Sequence, residues 1–153
     1  MLEMLKFKIT YFKEGIINLN LYRDIIITCL KLNDQLRLDN FISNNLRQTN
    51  LEYRKCIKHY SLAHSEFLIN DFQKALEYAS KISFRNIFVN SVESIYFRND
   101  IKAHVLRCLY DLNYLETAFN HIDSYIHFLQ SSKIASEYLK KSISNSSMLF
   151  PTY

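Results

Sequence analysis

Two cysteine–histidine pairs are the first residues in this chain whose types and spacing could carry chemistry. Cys56 and His59 are three apart, and His104 and Cys108 four apart, so on helices each pair shares one face. Together they would offer two thiolates and two imidazoles, the donor set of a tetrahedral zinc site. No short-spaced cysteine motif supports that reading. Cys29 and Cys108 instead fall near equivalent positions of a repeat, as small apolar core residues would. The expectation is no metal and no cofactor. His59 and His64 are five apart and His121 and His127 six apart, spacings that put the two rings on different helix faces. No Ser/His/acid set or carboxylate pair stands in a recognisable local motif. The chain has one glycine, whereas a P-loop, a dinucleotide fingerprint and a nucleophile elbow each need at least two. These residues point away from an enzyme.

Tyr53, Arg54, Lys55, Cys56, Ile57 and Lys58 interleave basic and aromatic groups, which could serve nucleic acid. The commoner role of such a stretch is a solvated face whose long stems cover apolar surface. The net charge is +4, enough to favour acidic partners slightly and too little to require a nucleic acid.

The elements that must position these residues come from the wider chain. At 153 residues and 48% hydrophobic, it is one domain with a real core. Its apolar runs are too short for a bilayer. Glu3, Lys6, Lys8 and Lys13 interrupt the N-terminus, so no secretory leader is visible. Three widely spaced cysteines resemble no disulfide framework, and a reducing, cytoplasmic home is expected. One glycine and one proline disfavour an all-β fold, which needs many turns rich in both. Asparagine is expected to take over the turns.

The organising stretch is Tyr60 to Ile82, within a hairpin expected over 51–82 with arms 51–69 and 72–82. Leu62, Ala63 and Ile69, then Phe72, Ala75, Leu76, Ala79 and Ile82, recur at helical spacing around Asn70-Asp71. Asparagine tolerates the left-handed conformation that ends a helix, and aspartate caps the next one. Similar arms are expected over 19–32 and 36–46, turning at Asn33-Asp34. A third pair covers 101–112 and 115–129, turning at Asn113-Tyr114. Within 84–99 a short helix is expected around Val92 to Phe97, and Asn99 or Asp100 then caps the next helix. Leu2, Leu5, Ile9 and Phe12 suggest a helix over 2–14 with Gly15 as its C-cap. Alternation of Leu5, Phe7, Ile9 and Tyr11 with Lys6, Lys8 and Thr10 offers a strand instead. A last helix is expected over 133–143, and 144–153 as a flexible tail.

Superimposing the turns on Asn33, Asn70 and Asn113, which lie 37 and 43 residues apart, exposes a repeat. Seven before each turn stand Ile26, Ala63 and Leu106. Five after stand Leu38, Ala75 and Ala118, and nine after stand Ile42, Ala79 and Ile122. One apolar period recurs on both arms, as in stacked helical repeats. Residues 68–82, LINDFQKALEYASKI, resemble the turn and second helix of a tetratricopeptide repeat, with Ala75 at the small signature position and Leu62-Ala63 as the preceding pair. Residues 99–130 resemble a more divergent copy, with Ala118 in that role. His59 stands where the family has a large aromatic, and the 34-residue period and terminal proline are absent.

The resemblance implies an all-α fold, an α-α superhelix (solenoid) of about three such hairpins with extra terminal helices. It also implies that the first arms line a concave surface. Residues ten, six and three before each turn would face it: Arg23, Ile27 and Leu30; Tyr60, His64 and Phe67; Ala103, Arg107 and Tyr110; Lys31 sits at the rim. Each triplet is one helix face by spacing alone. The partner-binding set is expected to be Arg23, Lys31, Tyr60, His64, Arg107 and Tyr110. Basic and aromatic groups there suit a protein or peptide segment of acidic character. The implied role is a non-enzymatic scaffold or adaptor, with a nucleic-acid-binding repeat protein as the alternative. The N-terminal segment resembles an unpaired second arm, which suggests part of a longer array or dimerisation through that face. No membrane is expected.

Overall fold

The computed structural model describes residues 16–83 and 92–131, with side chains described from residue 95 onward in the second span. Six α-helices fill these spans: α1 (Leu19–Lys31), α2 (Gln35–Asn45), α3 (Leu51–Leu68), α4 (Phe72–Ser80), α5 (Val92–Asp111) and α6 (Leu115–Ser131). A single 3₁₀ turn, Leu46–Gln48, follows α2. The described residues are all-α, without strands. The expectations for residues 2–14, for Gly15 as a cap, for a helix over 133–143 and for a tail beyond it lie outside the described residues.

Three hairpins arise from one local device used three times. Asn33, Asn70 and Asn113 all take positive φ, at 51°, 62° and 60°. In each turn the asparagine N–H donates back to the carbonyl three residues earlier (Leu30, Phe67 or Tyr110), and the next N–H donates five back, to Cys29, Glu66 or Leu109. This is the Schellman pattern, which satisfies carbonyls that a helix end leaves bare. Asp34 and Asp71 then accept from the backbone N–H of Arg37 and Lys74, capping α2 and α4. Asn18 and Asn50 cap α1 and α3 in the same manner. Since left-handed backbone costs a residue with a Cβ roughly 1–2 kcal/mol, Asn70→Ala should lower stability by about 1 kcal/mol in urea unfolding. Asn70→Gly should stay within about 0.5 kcal/mol of wild type.

The repeat positions pack as their types demand. Leu38, Ala75 and Ala118, five past each turn, are all buried, as are Ile26 and Ala63 seven before two of them. Alanine at the crossing lets paired arms approach closely. Consecutive hairpins touch through α2 with α3 and α4 with α5. Phe67, three before its turn, packs against His104 of the next hairpin with ring centroids 5.0 Å apart. Its counterpart Tyr110 belongs to the last described hairpin and is 71% exposed.

Two features depart from expectation. First, α5 is one helix of 20 residues that runs straight through Asn99 and Asp100, so neither is a cap. Their side chains are taken by tertiary partners: Tyr125 Oη donates to Asn99 Oδ1 at 2.7 Å, and Asp100 receives Arg23 and Tyr60. A carboxylate held this way no longer competes for its own backbone. Second, α1 and α5, the first arms of the outer hairpins, touch one another as well as α3. Repeats stacked in an open array contact only their neighbours. Here the three first arms converge on one core built around Tyr22, Ile26, Ile57, Tyr60 and Phe97.

Candidate functional site: a cleft between the first arms

Where α1, α3 and α5 converge they leave a cleft of about 380 Å³. From α1 it is lined by Ile27, Leu30 and Lys31, and from α3 by His64, Phe67 and Leu68. On the α5 side Asn99, Asp100, Ala103, His104 and Arg107 close it. The helical period explains the overlap with the expected stripe. Positions six and three before the first two turns (Ile27, Leu30, His64 and Phe67) and positions ten and six before the third (Ala103 and Arg107) share the surface on which the arms converge.

Of the six expected partner contacts, Lys31, His64 and Arg107 line this cleft. Tyr60 does not, and is corrected here: it is completely buried because α1 and α5 meet across it. Arg23 is likewise committed beneath the cleft. Its Nε and Nη2 form a fork on Asp100, the second bond at 2.8 Å, while its guanidinium lies over the Tyr96 ring at 5.3 Å. Tyr60 Oη donates to the same carboxylate at 3.0 Å. Tyr110 is not part of the cleft lining and is largely exposed. His64 lines the cleft as floor and is 3% exposed, so its ring is packing surface more than a contact a partner could reach.

The electrostatics follow from these placements. Arg23 answers Asp100, the only acid lining the cleft among the described residues. Lys31 and Arg107 make no ion pair among the described residues, and both are exposed. The cleft thus combines an apolar wall of Ile27, Leu30, Phe67 and Ala103 with uncompensated positive charge. Burial pushes His104 down to about 4, although a hydrogen bond to the Ala63 backbone works the other way. Burial also holds His64 well below its ordinary value, helped by neighbouring His104 and Arg107. Both rings are neutral at pH 7.

His104 and Asp100 were not among the expected site residues. Asp100 reads locally as a helix cap, and His104 sits nine before its turn, on the flank of the expected stripe. Nothing local in the sequence marks either as part of this cleft.

The thiols are buried, and His59, His104 and His121 are taken up in packing or hydrogen bonds. Cys29, Cys56 and Cys108 are free and buried. Burial drives Cys56 up to about 11 and Cys108 up to about 12, which keeps them as unreactive thiols at pH 7. His59 stacks near Tyr78, His104 packs on His64, and His121 bonds the Lys102 carbonyl through Nε2 at 2.9 Å. Among the described residues no group of three His, Cys, Asp or Glu side chains is placed to hold a metal ion. In the basic stretch of α3, Arg54 spends its Nη2 on the carbonyls of Arg47 and Thr49 at 2.8 and 2.9 Å, tying down the 3₁₀ turn. Among the described residues no helix is long and apolar enough to cross a membrane. The chain matches no family model, no curated protein and no solved structure.

Proposed function

We propose that this chain is a non-catalytic docking module, a tight stack of three tetratricopeptide-like hairpins that holds a segment of a partner protein in the cleft between its first arms. One observation carries the reading: among the described residues, an apolar cleft is flanked by two cations without an ion pair, Lys31 and Arg107, and its one acid, Asp100, is held by Arg23. Such a site favours a carboxylate carried next to an apolar side chain, the acid taking the guanidinium fork and the apolar group resting on Leu30 and Phe67. The cleft is small, so it would take one or two side chains and leave the rest of the segment on the surface. Three buried, unreactive thiols suit a reducing compartment such as the cytoplasm. The nucleic-acid alternative draws on Lys55 and Lys58, and it loses ground because Arg54 is already spent on backbone carbonyls.

The test is a binding titration with fluorescent peptides carrying acidic, neutral or basic ends next to a leucine or phenylalanine. Acidic peptides should bind at least tenfold tighter than basic ones. Arg107→Glu should abolish that preference while leaving the circular dichroism spectrum unchanged, since Arg107 is exposed. Equal affinity for all three peptides, or a mutant that binds like wild type, would remove the cleft from consideration. Tight binding of an unrelated oligonucleotide with a steep salt dependence would favour the alternative.

A further inference from the structure

The floor of the cleft holds two neutral imidazoles, of which only His104 has a polar partner among the described residues, the Ala63 backbone. His64 on α3 and His104 on α5 are 3% and 5% exposed, and their rings meet edge to face with centroids 4.3 Å apart. Both nitrogens of His64 and Nε2 of His104 lack any hydrogen-bond partner among the described residues. Tyr60 packs on His64 at 4.5 Å and Phe67 on His104 at 5.0 Å, so the pair is walled by aromatic rings.

The charges around the pair are mostly of one sign. Arg23 on α1 and Arg107 on α5 face it, and Lys31 lines the same cleft. Asp100 on α5 is held by Arg23 and Tyr60. On α4, Lys74 and Glu77 are exposed and paired with Asp71 and Lys81. Asp39 on α2 accepts from Ser65 and Gln35, and His121 on α6 bonds the Lys102 carbonyl. A proton arriving on either ring therefore finds no free carboxylate among the described residues, and a second one sets two like charges side by side.

We propose that the His64–His104 pair is an acid-released latch, and that the seam between α3 and α5 opens locally when the pair takes up protons. In the closed seam both rings resist protonation, His104 until about pH 4. An opened seam returns them to water and to the ordinary value near 6.5. The open form then binds more protons than the closed form between those limits. Closure is fully favoured above pH 6.5, and the opening equilibrium grows as pH falls below it, by up to about tenfold per pH unit for each proton taken up. The cleft loses its floor in the same event. The latch is read without a partner, so it stands or falls separately from the docking proposal.

Amide hydrogen exchange on the isotopically labelled protein at pH 6.5, 5.5 and 4.5, corrected for intrinsic exchange, tests the latch. Amides flanking His64 and His104 should lose protection by about tenfold or more per pH unit, while those of α1 and α2 hold. Replacing one ring by an uncharged one, His104→Phe, should reduce that dependence to the share one proton on His64 gives, at most about tenfold per pH unit. If this variant does not fold, the imidazole resonances of the wild-type protein decide. Neither ring should titrate near 6.5 while its helix remains protected. Two rings titrating at the ordinary value with α3 and α5 still protected, or simultaneous loss of protection throughout, would overturn the latch.

Discussion

Asp100→Ala should destabilise the protein by about 3–4 kcal/mol, measured by urea unfolding, because it strands a partly buried guanidinium and a buried phenol at once. The Arg23 side chain is 19% exposed and the Asp100 side chain 9%. Arg23 therefore cannot swing fully into solvent, and Tyr60 Oη loses its acceptor in a site closed to water. Domains of this size have about 5–15 kcal/mol in total, so the change could consume much of the margin. Asp24→Ala is the control. Asp24 also touches Arg23, at 3.3 Å, but its side chain is 57% exposed, and exposed pairs contribute about 0–1 kcal/mol. A large loss for Asp24 with a small one for Asp100 would invert the account.

Phe97→Ala should cost a similar amount, about 3–5 kcal/mol, the range for emptying an aromatic site in a packed interior. Phe97 is fully buried and meets the Tyr60 ring edge-on with centroids 4.7 Å apart. It belongs to the N-terminal half of α5 and packs on the Tyr60 ring of α3. Loss of Phe97 should therefore weaken the meeting of the three first arms and not merely one hairpin. Phe119→Ala on α6 removes the same ring from a site 68% exposed. It should change stability by no more than about 0.5 kcal/mol. Parallel thermal melts of the two variants separate these outcomes.

The parts of this fold that were legible in the sequence are those decided within a few residues. Asn33, Asn70 and Asn113 could be read as turns because few residues other than glycine tolerate positive φ, and the chain has one glycine. Leu38, Ala75 and Ala118 could be read as core because helical spacing from each turn puts them on the inner face. Residues Asn99 and Asp100 misled for the complementary reason. Asparagine followed by aspartate is a strong local signal for a helix start, whereas the partners that hold Asp100 inside α5 lie 77 and 40 residues away.

The cleft was half legible. Spacing identified the face carrying Ile27, His64 and Arg107, and the structure brings those residues to one cleft. Spacing could not say how closely α1 approaches α5. That distance decides why Tyr60 and Arg23 are interior while Lys31 and Arg107 remain free. A stripe of nine residues thus separates into a wall, a buried clamp and an exposed edge, and only tertiary packing draws the lines.

The convergence of the outer hairpins through Arg23 and Asp100 is the feature on which the cleft and the buried clamp both rest. A double-mutant cycle with Arg23→Ala, Asp100→Ala and the double variant measures it directly. The account predicts a coupling of about 2 kcal/mol or more, since each single change leaves the other partner buried and unpaired. Strictly additive effects, within about 0.5 kcal/mol, would mean that α1 and α5 do not meet and that the cleft between the first arms does not exist in this form.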